Sequence, residues 1–168
     1  TVKTVDTAGN ISEGRKVTAS IGEWTVLGNT GISDDWARQT DVRIAGDGTP
    51  YLVFVDSSDN ELKVMKHVSG GWSQVGSAVA SSLGYFQQQT VALALDSSDR
   101  PYVAFKDPNN GDDATVKYFD AGTWNTIGSA GFSPNEVDEL DLAIGDSDTP
   151  YVATNDAGAG VSVLTYDG

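Results

Sequence analysis

An all-β fold, built of small antiparallel sheets repeated along the chain, is predicted by three observations in these 168 residues. Trp24-Thr25-Val26-Leu27-Gly28 returns as Trp72-Ser73-Gln74-Val75-Gly76 and as Trp124-Asn125-Thr126-Ile127-Gly128, at intervals of 48 and 52 residues. Pro50-Tyr51, Pro101-Tyr102 and Pro150-Tyr151 keep the same beat, 51 and 49 residues apart. An aspartate closes the strand after each Pro-Tyr, at Asp56, Asp107 and Asp156. Phased markers at such a period mean that the fold is read from the repeat.

The second repeat justifies each element in order. Thr90 to Asp96 carries larger and smaller apolar residues with no polar face, as a strand buried on both sides does. Ser97-Ser98-Asp99-Arg100 is a cluster of turn formers. Pro101 opens the next strand, where its missing N–H costs no ladder bond. Tyr102-Val103-Ala104-Phe105-Lys106 is rich in aromatic and β-branched residues. Thr115-Val116-Lys117-Tyr118-Phe119 alternates polar and apolar, predicting a half-exposed third strand. Asp120-Ala121-Gly122 turns the chain into the Trp124 strand, which Gly128 ends. No helical periodicity supplies a crossover, so a parallel sheet is excluded. A four-stranded meander, strands a to d, recurring on this period is the blade of a β-propeller. A β-sandwich is the competing architecture, but its strands do not carry such phased markers.

Residues 22–168 are thus expected to be propeller blades, with repeats starting near Trp24, Trp72 and Trp124. Residues 1–21 read either as a partial first blade, with Asp6 on the beat, or as the terminal hairpin of an immunoglobulin-like domain. About three and a half blades are too few to close a ring. Closure is expected from further repeats in a longer parent chain or from a second copy, with strand exchange through residues 23–28.

The Trp–Gly strand, the apolar strand, the acidic turn and Pro101-Tyr102-Val103-Ala104-Phe105-Lys106-Asp107 together resemble repeats of secreted bacterial β-propellers. They are loosely similar to NHL-type blades. Gly22-Glu23-Trp24, Gly71-Trp72 and Gly122-Thr123-Trp124 resemble the Gly-Trp step of propeller lectins. The lectin resemblance implies sugar binding; the NHL resemblance implies protein or RNA contacts.

Composition narrows the classes. A formal charge of −14 disfavours nucleic acid and anionic membrane as partners. No apolar run reaches the roughly 20 residues of a membrane helix. Without cysteine and with one histidine, His67, common zinc sites cannot be built in one chain. The expected place is extracellular or at the cell surface, in recognition or adhesion.

The a-to-b turns are alike between repeats, which points to a structural role, whereas the d-to-a loops differ completely. Variation among copies of one repeat is where a scaffold carries specificity. The candidate ligand-binding residues are Trp36, Arg38, Gln39, Tyr85, Phe86, Gln88, Glu136 and Asp138. Aromatics flanked by amide and charged groups suit stacking on a sugar or gripping a peptide, so the expected partner is a glycan or a surface protein. The phased tryptophans themselves are expected to pack between blades. No cofactor is expected apart from calcium, for which Asp107-Pro108-Asn109-Asn110-Gly111-Asp112-Asp113 offers several oxygens without the EF-hand order. No nucleophile motif accompanies His67, and the clustered acids near Glu136 have no marked partner, so the chain is expected not to be an enzyme. The alternatives are a structural subunit that self-assembles through its open blade ends, and a polysaccharide hydrolase or lyase acting through Glu136 or Asp138.

Overall fold

The structure, a computed structural model, describes residues 7–8, 22–83 and 90–168. Three sheets follow one another along the chain. The first runs β1 (Ala37–Ile44), β2 (Pro50–Asp56), β3 (Glu61–Val68) and β4 (Gly71–Gln74). The second runs β5 (Val91–Leu95), β6 (Pro101–Asp107), β7 (Asp113–Asp120) and β8 (Thr123–Thr126). The third holds β9 (Val137–Ile144), β10 (Pro150–Asp156) and β11 (Gly160–Thr165). Every neighbouring pair is antiparallel and joined in sequence order, which is the meander the repeat predicts. Each proline at 50, 101 and 150 is the first residue of its strand. Among the described residues there is no α-helix, only two short 3-10 turns. The strand pairs outside each sheet that come closest are β1 with β5 and β5 with β9, so the sheets fan out from their first strands as blades do. The described sheets do not close into a ring.

Two clefts between sheets hold the core. Val53, Val55, Leu62 and Val64 of the first sheet pack with Leu93, Val103 and Phe105 of the second. Ala92, Ala104 and Val116 of the second pack with Leu142 and Val152 of the third. Each large side chain fully buried here is worth about 1.5–3 kcal/mol. β5 is apolar on both faces because it lies between β1 and β9. By contrast β1 exposes Val42 and Ile44, so the doubly buried first strand expected of a blade is seen only in the middle sheet.

Two of the three repeated tryptophans reach the motif before them, whereas Trp24 is fully exposed, against the expectation that all three pack between blades. Trp124 donates its indole N–H to the carbonyls of Val75 and Ser77, each at 3.1 Å. Trp72 does the same to Leu27, also at 3.1 Å. The glycine ending each Trp motif receives a ring from the next sheet: at Gly76 (φ 68°) a Cβ would lie 2.4 Å from the Phe119 ring. No side chain fits there. At the a-to-b turns, Asp99 accepts the Gly46 amide at 2.8 Å and Asp148 accepts the Ser97 amide at 2.9 Å. The turns therefore stitch each sheet to the one before, as their uniformity implied.

Two expectations need correction or placement. Residues 23–28 are not paired as a strand among the described residues; they run alone along Trp72. The reading of residues 1–21 lies outside the described residues apart from residues 7–8.

Candidate functional site

The strand-closing aspartates and the d-to-a loops meet at one end of the sheets. Trp36 and Glu136 are equivalent: the Trp36 carbonyl accepts the Ser57 amide at 3.0 Å, and the Glu136 carbonyl accepts the Ala157 amide at 2.9 Å. The backbone under each is therefore pinned to the b-to-c loop. Trp36 is 76% exposed, so its ring faces solvent from a fixed base. This excludes, for Trp36, the role of a ring capping the core.

Arg38, at the start of β1, donates from Nε to Ser57 Oγ at 3.0 Å and from Nη2 to Asn60 Oδ1 at 3.3 Å. Asn60 also accepts the Leu83 amide through its carbonyl at 3.2 Å. Arg38 and the start of the second d-to-a loop thus converge on Asn60. Tyr85, Phe86 and Gln88 lie outside the described residues.

Gln39 and Asp138 share a feature that the sequence does not signal. In β1 the register shifts between Arg38 and Thr40, leaving Gln39 as an extra residue at φ 49°. In β9 the shift leaves Asp138 unpaired between Val137 and Glu139. A β-bulge re-aims the side chain it carries, and bulges are frequent beside functional sites. Both residues are exposed. Glu136 is half-exposed and pairs with Lys106 Nζ at 2.7 Å, while Lys106 itself is almost fully buried. The five candidates among the described residues thus divide: Trp36, Arg38 and Gln39 lie at the start of the first sheet, and Glu136 and Asp138 sit at the matching end of the third sheet.

The aspartates beneath differ in their partners. Asp56 accepts from the amide and hydroxyl of Ser58, from the Asp34 amide and from Lys63 Nζ at 3.2 Å. Burial acts to raise its pKa, but these donors and the ammonium outweigh burial and hold it below the usual carboxylate range. Lys63 also pairs with Asp59. Burial acts to lower the Lys63 pKa, and its two carboxylates more than reverse that. Asp107 accepts from the Asn109 amide, Asn110 Nδ2 and Thr115 Oγ1. It caps the 3-10 turn Pro108–Asn110. Asp156, which keeps the beat of the repeat with Asp56 and Asp107, has no hydrogen-bond partner on either carboxylate oxygen.

Among the described residues no group of three acidic, histidine or cysteine side chains is gathered for a metal ion. No helix among them is long and apolar enough to cross a membrane. His67, on β3, packs edge-on against Trp72 at 5.4 Å, and its Nε2 is buried without a hydrogen-bond partner.

No protein-family model matches the chain. No curated protein matches it either. Solved structures do. One is a fucose lectin from Kordia zhangzhouensis in complex with methyl-fucoside, at 13% identity and a TM-score of 0.48, covering 77% of this chain and 92% of the lectin. Another is 1,3Gal43A, an exo-β-1,3-galactanase from Clostridium thermocellum, at 13% identity and a TM-score of 0.48, covering 88% of this chain and 36% of the galactanase. A third is an exo-1,5-α-L-arabinanase from a bovine ruminal metagenomic library, at 14% identity and a TM-score of 0.46, covering 99% of this chain and 64% of the arabinanase. The chain therefore spans about a third and just under two thirds of the two enzymes' lengths. The expectation that this chain is not an enzyme is corrected here. Two of these three structures are an exo-β-1,3-galactanase and an exo-1,5-α-L-arabinanase.

Proposed function

We propose that this chain is an extracellular carbohydrate-recognition protein that holds glycan at the loop end of its sheets. The observation that carries the proposal is the Trp36 patch. A largely exposed indole stands on a pinned backbone, two residues before a guanidinium locked by Ser57 and Asn60 and three before an amide carried on a bulge. A sugar ring offers a C–H face to an aromatic ring and hydroxyls to planar polar groups, and preorganised side chains lose little entropy on binding it. Tyr85, Phe86 and Gln88, outside the described residues, are proposed to contact the same ligand on the strength of their residue types in a loop that varies between repeats. Glu136 and Asp138 extend it on the third sheet.

A glycan array carrying fucosides, galactans and arabinans tests this, with released reducing ends assayed on the same panel. The wild-type chain is expected to bind a subset, and Trp36→Ala to lose at least tenfold in affinity with an unchanged circular dichroism spectrum. Equal binding by Trp36→Ala overturns the assignment of this patch. Release of sugar by the wild type adds cleavage to recognition.

A further inference from the structure

Three equivalent aspartates close β2, β6 and β10, yet their surroundings diverge in one consistent direction. The position opposite and two residues back is Lys63 in the first sheet, Thr115 in the second and Ser162 in the third. Lys63 and Thr115 each donate to their aspartate; Ser162 makes no such bond to Asp156. Asp34, whose amide reaches Asp56, is matched by Pro134, which has no N–H. Ser58, which gives two bonds to Asp56, is matched by Gly158. On the same strand face, two residues before the aspartate, Phe54 and Phe105 are matched by Thr154. The third sheet has lost its donors and a ring and gained a hydroxyl.

The result is a set of buried oxygens without partners. Asp156 is 2% exposed with both oxygens unbonded, and Thr154 is 2% exposed with Oγ1 unbonded. Asp112 Oδ1 is buried and unbonded as well. These residues are brought together by the backbone: the Asp112 carbonyl accepts the Val137 amide at 3.1 Å, and the Glu136 carbonyl next to it accepts the Ala157 amide at 2.9 Å. Lys106, the nearby buried cation, pairs with Glu136 and not with Asp156. An unpaired buried carboxylate is costly, and unsatisfied oxygens on segments joined through Val137, which bonds Asp112 and pairs with Asp156, call for a missing partner.

We propose that Asp156, Thr154 and Asp112 form a calcium site at the junction of the second and third sheets. Calcium accepts six to eight oxygens, carboxylate or neutral, in irregular geometry, and fills the remainder with water. Two carboxylates and a hydroxyl are a partial set of that kind. Magnesium, which demands an octahedron, suits it poorly. The site is distinct from the Trp36 patch and stands whether or not glycan binds there.

Calorimetry and thermal melting of the chelator-treated 168-residue chain, with calcium and with magnesium, test the site. One saturable calcium event is expected. It should raise Tm by roughly 5–10 °C at about a hundredfold excess over Kd, with a smaller magnesium shift. Asp156→Asn and Ser162→Lys, the second supplying the first sheet's ammonium, are each expected to melt no lower than wild type in chelator and to lose the calcium shift. Asp107→Asn, which alters a carboxylate already bonded, should melt lower and keep the shift. Absence of heat and of any shift up to about 10 mM calcium overturns the proposal, since weak extracellular sites bind at 10⁻⁴–10⁻³ M. So does an equal response to magnesium, or a calcium shift retained in both Asp156→Asn and Ser162→Lys.

Discussion

Asp56 and Asp156 occupy the same place in two sheets of one molecule and meet opposite surroundings. Around Asp56 every acceptor is answered, by a serine, a backbone amide and a buried lysine. Around Asp156 none is. The backbone is the same in both, closing a Pro-opened strand of 7 residues against an antiparallel neighbour. A repeat conserves the frame, while the few side chains that touch each aspartate decide whether it serves the frame or is available to something else.

The largest effect is expected from breaking the satisfied member. Lys63→Met removes the ammonium from a carboxylate that is 1% exposed, and should cost about 3–5 kcal/mol in denaturant unfolding. A loss under about 1 kcal/mol would mean that the serine and backbone donors suffice. Acid should act on the same group. The folded pKa of Asp56 is lowered, so its contribution is complete above the unfolded value and is lost as pH falls through the folded one. Unfolding free energies measured from about pH 5 to pH 2 should fall more steeply in the wild type than in Lys63→Met. Asp113 contributes with the opposite sign: its raised pKa means that stability declines as pH rises through the carboxylate range.

Next in size, Asp156→Asn in metal-free protein should stabilise by about 1 kcal/mol, by removing a buried charge that nothing answers. Destabilisation would show that Asp156 has a partner in solution. Asp148→Ala removes both bonds from Ser97 at an exposed turn and should cost about 0.5–1.5 kcal/mol, a measure of how firmly the turns join the sheets. Smallest of all, Trp36→Ala should change stability by no more than about 0.5 kcal/mol, because the ring is exposed. A larger loss would make Trp36 part of the packing after all.

Much of the frame was legible in the chain. Proline placement, turn residues and apolar runs predict the meander of the second sheet within a residue or two of its observed strands, because these are local preferences. The packing role of the repeated tryptophans was legible for Trp72 and Trp124, whose indoles meet the preceding motif, but it fails at Trp24, which is fully exposed because no described segment lies against it. Bulges at Gln39 and Asp138 were not legible. They arise from the pairing of β1 with β2 and of β9 with β10, and no residue type announces them. The exposed face of β1 was missed for a similar reason: burial of a first strand depends on what flanks it. The replacement of Phe54 and Phe105 by Thr154 was visible in the aligned repeats, but its meaning required knowing which side chains face the aspartate.

The sequence by itself determined the repeating unit, because strand period, turn chemistry and the phased Trp, Pro-Tyr and Asp markers are all encoded within some fifty neighbouring residues. Only the tertiary structure decided which of three identical aspartates is left bare. Hydrogen-bond satisfaction depends on donors brought from other strands and loops, at distances of about 3 Å that no spacing along the chain prescribes.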